Sequence, residues 1–198
     1  MNSPEKTPNF FINADVPIVS SYRREQHLTE LKTAALYFKN LGLSTYPDHL
    51  QNPIKIDDEF VFFGGDQEVF DNNKRRMEIK FLQAINRAKL VYVVATNGYL
   101  GRSSSVEVSY GLLMNTPLAL SQPITEFGEE VPKELKTVIE NHKMLIPILP
   151  IEKIKELKID RLLAVLPNRE KPSLTSLNEK DKRTILLSIR SLVRNLEQ

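Results

Sequence analysis

The sequence holds no cysteine among its 198 residues. That excludes disulfides, zinc ribbons and thiol nucleophiles in one step, and it suits a reducing cytoplasm. Histidine is nearly as scarce. His27, His49 and His142 have no metal-ligand spacing among them, so a His-based metal site is not expected. Apolar runs are too short to span a bilayer, and no membrane contact is expected. The N-terminus shows no basic stretch leading into an apolar core, so no export signal is expected, and the compartment that fits is the cytoplasm. A dense basic stripe is missing too. After residue 150 the chain carries eleven Lys or Arg against seven Asp or Glu, and before it sixteen against eighteen. So modest a basic tail reads as a solvated helix, and no nucleic-acid partner is expected. Internal repeats and low-complexity segments are absent.

What is present is an ordinary globular composition, 41% hydrophobic and 26% charged, at a length that suits one domain with a real core. Residues 1–14 are polar and contain proline, and read as a flexible N-terminus. Residues 15–21 form a short apolar strand pattern stopped by two serines. Helical spacing follows over 24–41 (Leu28, Leu31, Ala35, Phe38, Leu41), with Gly42 as its terminator. A second strand is expected over 43–47. Residues 48–72 read as one long connection with an apolar patch at Phe60, Val61, Phe62 and Phe63, long enough to cover a pocket. A helix over 73–89 would turn Met77, Phe81, Ala84, Ile85 and Ala88 inward. Further strands are expected over 90–95, 117–121 and 144–149, and helices from about Ser105 to Asn115 and over 129–142. Pro172 is followed by Ser176 and Glu179, a capping-box pattern, and then by an amphipathic helix carrying Ile185, Leu186, Ile189, Leu192, Val193 and Leu196. The alternation of strand and helix predicts an α/β fold: a single three-layer domain around a parallel, flavodoxin/Rossmann-like five-stranded sheet. Residues 15–150 would make that domain. Residues 151–198 would be a helical extension packed on the core or on a partner subunit. Ligands of such sheets bind beyond the C-terminal strand ends, where strand order reverses.

The chemistry is expected in residues 90–120, LVYVVATNGYLGRSSSVEVSYGLLMNTPLAL. This is a buried strand, a turn (Asn97, Gly98, Tyr99, Leu100, Gly101), three serines and a helix. Gly98 and Gly101 permit a tight turn and the close approach of a ligand. One of Ser103, Ser104 and Ser105 would cap the helix, leaving the others and the free N–H groups for an anion or a sugar hydroxyl. Glu107 would fall in the first turn, where the helix dipole favours the ionised form and a nucleophilic role. The plainer alternative is that the dipole alone explains a glutamate there. Tyr22 could stack on a base or be partial core, and Arg23 and Arg102 could pair with a phosphate or point to solvent. Asp57, Asp58 and Glu59 read as a solvated turn, and His27 and His49 as surface residues.

The run over residues 98–118, GYLGRSSSVEVSYGLLMNTPL, resembles the nucleoside 2-deoxyribosyltransferase-like superfamily, which includes deoxynucleoside-monophosphate N-glycosidases. The resemblance extends over residues 15–121, with Ser20-Ser21-Tyr22-Arg23 similar to the family's opening Gly-Ser-Phe-Arg. It implies that Glu107 is the nucleophile, that Ser103-Ser104 stand for a Ser-Thr pair, and that Tyr110 and Pro117 match the tyrosine and proline that follow. It also implies a nucleoside or nucleoside 5′-monophosphate as ligand, contacted by Ser20, Ser21, Tyr22, Arg23, Asn97, Gly98, Tyr99, Gly101, Arg102, the three serines and Tyr110. A homodimer or larger homo-oligomer is implied as well, and no metal or organic cofactor is. Asn97 departs from the aspartate that many members carry for the leaving base. Ser109, Gly111 and Thr116 depart from the Gly, Ala and Lys found nearby. The expected activity is cleavage or transfer at an N-glycosidic bond; the alternative is a nucleotide-binding module without turnover.

Overall fold

A computed structural model describes residues 13–21, 25–47, 53–56, 61–63, 74–158 and 177–196. Strand β1 (Val16–Ser20) is buried throughout, followed by helix α1 (Glu25–Asn40) and the two-residue strand β2 (Thr45–Tyr46). Next come β3 (Pro53–Ile56) and β4 (Val61–Phe63), helix α2 (Lys74–Arg87) and β5 (Val91–Val94). A 3-10 turn at Thr96–Gly98 leads through β6 (Tyr99–Leu100) into helix α3 (Arg102–Leu113). The remainder is β7 (Leu118–Leu120), β8 (Glu126–Phe127), α4 (Lys133–His142), the four-residue α5 (Ile151–Ile154) and α6 (Glu179–Asn195).

The fold is α/β, and its main sheet has four parallel strands in the order β2-β1-β5-β7. From β1 the chain steps to one side for β2 and returns to the other for β5. The strand order therefore reverses between β1 and β5, and a crevice beyond their C-terminal ends is where this topology accepts ligands. Side chains alternate across the strands, so each face of the sheet has its own apolar cluster. Val16, Ile18, Tyr92, Val94 and Ala119 pack with Leu31, Ala34, Ala35 and Phe38 of α1 and Ile151 and Ile154 of α5. Val19, Val91, Val93 and Ala95 pack with apolar residues of α2, α3 and α4, and with Ile185 and Leu192 of α6. The C-terminal helix thus rests on the same core, against α2, α3 and α4. At the opposite end of the strands, the Asp15 carboxylate accepts from the Ser44 N–H and hydroxyl (2.9 and 2.8 Å) and pairs with Lys89 at 2.8 Å. One carboxylate ties together the entries to β1, β2 and β5.

Four sequence expectations need correction. The connection over 48–72 contains an antiparallel pair, β3 with β4, because residues 61–63 (Val-Phe-Phe) are strong strand formers. The strand expected over 144–149 is reduced to one parallel bridge, Leu120 to Ile148, preceded by a 3-10 turn at Lys143–Leu145. Pro147 has no N–H to give to a ladder; its carbonyl accepts from Leu120 N at 3.0 Å, and Leu149 N donates to Leu120 O at 2.7 Å. The cap of α6 is Asn178, whose Oδ1 accepts from Asp181 N at 2.8 Å, whereas Ser176 lies outside the described residues. The start of α3 also differs, with consequences for the site. Among the described residues no helix is long and apolar enough to cross a membrane.

Candidate functional site

Helix α3 begins at Arg102, three residues earlier than the serines suggest. Its cap is Gly101, in extended conformation (φ −79°, ψ −179°), with no side-chain capping bond; the first helical bond runs from Ser105 N to Gly101 O at 2.9 Å. Ser103, Ser104 and Ser105 are therefore inside the first turn rather than before it. Ser104 and Ser105 are buried, and Ser105 Oγ has no hydrogen-bond partner. Glu107 becomes the sixth helical residue, in the second turn, where its N–H belongs to the helical ladder and the dipole's stabilisation of a charge has fallen away. It is also buried, at 4% exposure, and its Oε2 has no partner among the described residues. Burial, with the charge of Glu78 added to it, raises its carboxyl well above the usual range. Burial thus works against the ionised state that the sequence expectation of a first-turn glutamate assigns to Glu107.

Glu78 was not visible as a site residue in the sequence. It lies in α2 at 3% exposure, with Oε1 unpartnered, and burial pushes it up to about 8. Its neighbours explain why it turns inward. Glu78, Phe81, Leu82 and Ile85 are all buried at the i, i+3, i+4, i+7 spacing of one helix face, while Met77, expected on that stripe, is only half-buried. A carboxyl set into an apolar stripe is the signal that points to it. Helix α2 runs back across the sheet to the start of β5, so its first turns lie over the C-terminal strand ends. Helix α3 starts from that same end and packs against α2. Gly111, one turn beyond Glu107 on the same face, abuts Leu118 of β7: an added Cβ would lie 2.9 Å from Leu118 Cδ2. Glu107 therefore faces the sheet side of its helix. Glu78 and Glu107 are thus buried on two packed helices at the ligand end of the sheet, near enough for the charge of Glu78 to act on Glu107.

Around this pair the strand ends are fixed by polar contacts. Ser20 is buried and its hydroxyl donates to Val94 O at 3.2 Å, linking the ends of β1 and β5. Ser21 Oγ accepts from Gly101 N at 3.3 Å, linking the end of β1 to the start of α3. Thr96 Oγ1 donates to Glu30 Oε2 at 2.6 Å, so α1 holds the turn after β5. His27 is buried, against the surface position expected for it, with its ring edge-on to Tyr99 at 5.9 Å; α1 lies over this turn and takes the imidazole out of solvent. Asn97 is exposed and left-handed (φ 55°), a turn conformation that asparagine tolerates.

The two glycines of the turn do not open space for a ligand. Gly98 has φ 75°, and an added Cβ would collide with the Thr125 hydroxyl and come within 2.9 Å of Pro123 O. Its surroundings are the chain's own 123–125 segment, tied back by Thr125 N to Gly98 O at 2.9 Å. At Gly101 a Cβ would stand 3.0 Å from Ser21 Oγ and 3.6 Å from the Tyr99 ring. Both glycines serve close packing of the turn.

Arg102 turns to the C-terminal helix. Its Nη2 donates to Ser191 Oγ at 3.4 Å, and to the Asn195 side-chain oxygen at 2.8 Å in the amide orientation that satisfies both Asn195 polar atoms. Its backbone N–H donates to Glu130 Oε1 at 3.4 Å, so the chain's own carboxylate stands at the N-terminus of α3, where an anion was expected. Tyr110 is half-buried against the core, and burial raises its hydroxyl. Tyr22, Arg23 and His49 lie outside the described residues.

The site therefore joins Ser20, Ser21, Thr96, Gly101, Glu78 and Glu107 at one end of the sheet, and directs Arg102 away from them. Among the described residues no group of three potential ligands is placed to hold a metal ion. No protein-family model, curated protein or solved structure matches this chain.

Proposed function

We propose that this protein acts on the N-glycosidic bond of a nucleoside or nucleoside 5′-monophosphate, with Glu107 as the nucleophile at C1′. The observation that carries this is the position of Glu107: a buried carboxyl with an unpartnered oxygen, at the C-terminal end of a parallel sheet, beside the point where strand order reverses. A buried carboxyl without a partner is costly to keep, and a nucleophile is one role that requires its lone pairs to be free. The sequence resemblance of residues 98–118 supplies the reaction class. In this reading the sheet is the five-stranded, three-layer flavodoxin/Rossmann-like core, with the Leu120–Ile148 bridge marking its fifth strand. Residues 15–150 form the nucleotide-binding unit, and 151–198 its helical extension. The protein works in the cytoplasm as a homodimer or larger, and a monomeric mass in light scattering would count against that.

A 5′-phosphate would meet groups of the chain itself at the start of α3. Arg102 is engaged by α6 and Glu130 stands at the helix terminus, so a phosphate would have to displace that carboxylate or rely on Arg23. Comparing a deoxynucleoside with its monophosphate, in the wild type and in Arg23→Ala, separates the two ligands.

The test of the main reading is release of free base from a panel of nucleosides and nucleotides, followed by chromatography. Glu107→Ala should abolish release by several orders of magnitude. Undiminished release from that variant would overturn the assignment. A second reading, a binding module without turnover, is favoured by Asn97, which is exposed and carries no proton for a leaving base; tight binding of a panel member with no base released would establish it.

A further inference from the structure

If Glu107 attacks C1′, something must protonate the departing base, and the turn after β5 offers only Asn97, an exposed amide. Besides Glu107 and the exposed Glu126 and Glu129, three carboxyls of the described residues stand at this end of the sheet. Glu30 accepts the Thr96 hydroxyl at 2.6 Å, and Glu130 is exposed and accepts the Arg102 N–H. Glu78 is the third, and it lies on the helix that packs against α3. It is also the one that is fully enclosed and has an unpartnered oxygen.

We propose that Glu78 is the acid–base partner of Glu107, giving its proton to the departing base and taking one back from the water that resolves the intermediate. This rests on the reading of Glu107 as the nucleophile. In the first step a Glu107 oxygen forms a bond to C1′ as the C1′–N bond breaks. That electron pair goes to the base nitrogen, and the Glu78 O–H proton follows it, leaving a neutral base, a glycosyl ester on Glu107 and an ionised Glu78. In the second step water attacks C1′ and gives a proton to Glu78, and the ester C–O bond breaks to restore the Glu107 carboxylate. The net reaction is addition of one water across the glycosidic bond, and the pair starts and ends with one proton. Two carboxyls enclosed together cannot both carry charge readily, so their shared environment favours that singly protonated state over the doubly ionised one. Their setting on two separate helices lets one face the sugar carbon while the other faces the base, a division of labour common to paired-carboxylate glycosidic enzymes.

The experiment uses the full chain, with 2′-deoxyinosine and 2′-deoxyadenosine 5′-monophosphate as slow-leaving probes and 4-nitrophenyl 2-deoxyriboside as a probe that leaves without protonation. Glu78→Gln should slow base release by roughly 100-fold or more, while the first-turnover burst of nitrophenol changes little and the later turnovers slow. Azide, which needs no deprotonation to attack, should rescue turnover and yield a 2-deoxyribosyl azide detectable by mass spectrometry. A merely structural Glu78 would slow both leaving groups alike, give no azide product and lower the melting temperature in step; that result overturns the proposal. If Glu78→Gln does not fold, Glu78→Asp is the substitute, expected to show the same leaving-group discrimination at smaller amplitude, and equal effects on both probes refute it. Release of base by Glu107→Ala, or from no probe by the wild type, instead removes the underlying reading and this proposal with it.

Discussion

Replacing Glu78 by glutamine should flatten the pH dependence of stability over a defined window. In the folded protein burial lifts the Glu78 carboxyl from an ordinary value of 4.5 to about 8. Between those two values the folded chain holds a proton that the unfolded chain has released. Stability therefore falls as pH rises through the window, by about 1.4 kcal/mol per pH unit. The contribution is fully present below pH 4.5 and fully lost above pH 8. Between pH 5 and pH 7.5 the wild type should lose about 3 kcal/mol through this one group. For a chain of this size that corresponds to roughly 6–12 °C in melting temperature. Glutamine cannot ionise, so Glu78→Gln removes this slope, and removes as well the part of the rise at Glu107 that comes from the Glu78 charge. The offset between the two proteins is not the test, because a buried amide without full partners carries its own penalty. The slope is. Urea titrations of both proteins at half-unit steps from pH 5 to pH 7.5, followed by circular dichroism, give the two profiles. Parallel profiles would refute the reasoning: Glu78 would then titrate alike in the folded and unfolded chain, and would not be an enclosed proton carrier.

Two further perturbations read other parts of the frame. Gly98→Ala should cost about 2–4 kcal/mol, because φ is 75° and the new Cβ would meet the Thr125 side chain and Pro123 O, whereas Gly42→Ala, at φ 78° with nothing within 4 Å, should cost only about 1 kcal/mol; equal losses in urea unfolding would show that the turn can yield. Asp15→Asn should destabilise at neutral pH by about 1–3 kcal/mol and become neutral as pH falls below the Asp15 value. Burial works to raise that carboxyl, but the bonds from Lys89 and Ser44 together hold it below the ordinary range, so its contribution is present above pH 3.8 and lost on acidification; a loss independent of pH would show that the ion pair with Lys89 is idle.

The sheet was legible because its strands are short, wholly apolar runs separated by helices of clear 3.6-residue spacing. Residues 90–95 and 117–121 became β5 and β7 with their ends off by a residue or so. The misreadings have local causes. The hairpin of β3 and β4 was taken for cover because its first arm, Pro53-Ile54-Lys55-Ile56, is mostly polar in company and opens on proline. Its second arm is nonetheless readable as a strand, since Phe60, Val61, Phe62 and Phe63 follow three acidic residues in the sequence. The pair β6 with β8 contributes two residues each, too few for any periodicity to register. Pro147 interrupts the apolar run over 144–149 and reduces the expected strand to a single bridge.

At the site, a displacement of three residues in the start of α3 changed the electrostatics of its central group. Three serines in a row each satisfy the rule for a helix cap, and nothing in that run distinguishes them from Gly101 ahead of them, which caps by backbone alone. Starting the helix at the serines puts Glu107 among free N–H groups that would stabilise its charge. Starting it at Arg102 puts Glu107 a turn deeper, where burial favours the proton. Glu78 was hidden for a different reason. It is 29 positions away in sequence, and only the packing of α2 on α3 over the strand ends brings the two together. The signal lay in α2 itself, where one carboxyl interrupts an otherwise apolar face. Such a residue is explained by a partner or by a task. Glu78 and Glu107 each lack a hydrogen-bond partner for one oxygen, and the charge of Glu78 adds to burial in making Glu107 harder to ionise. A single buried carboxyl would simply stay protonated and inert. In the proposed reaction, two of them on packed helices, sharing one proton, would supply an acid and a nucleophile in the same enclosure, a combination that neither residue supplies alone.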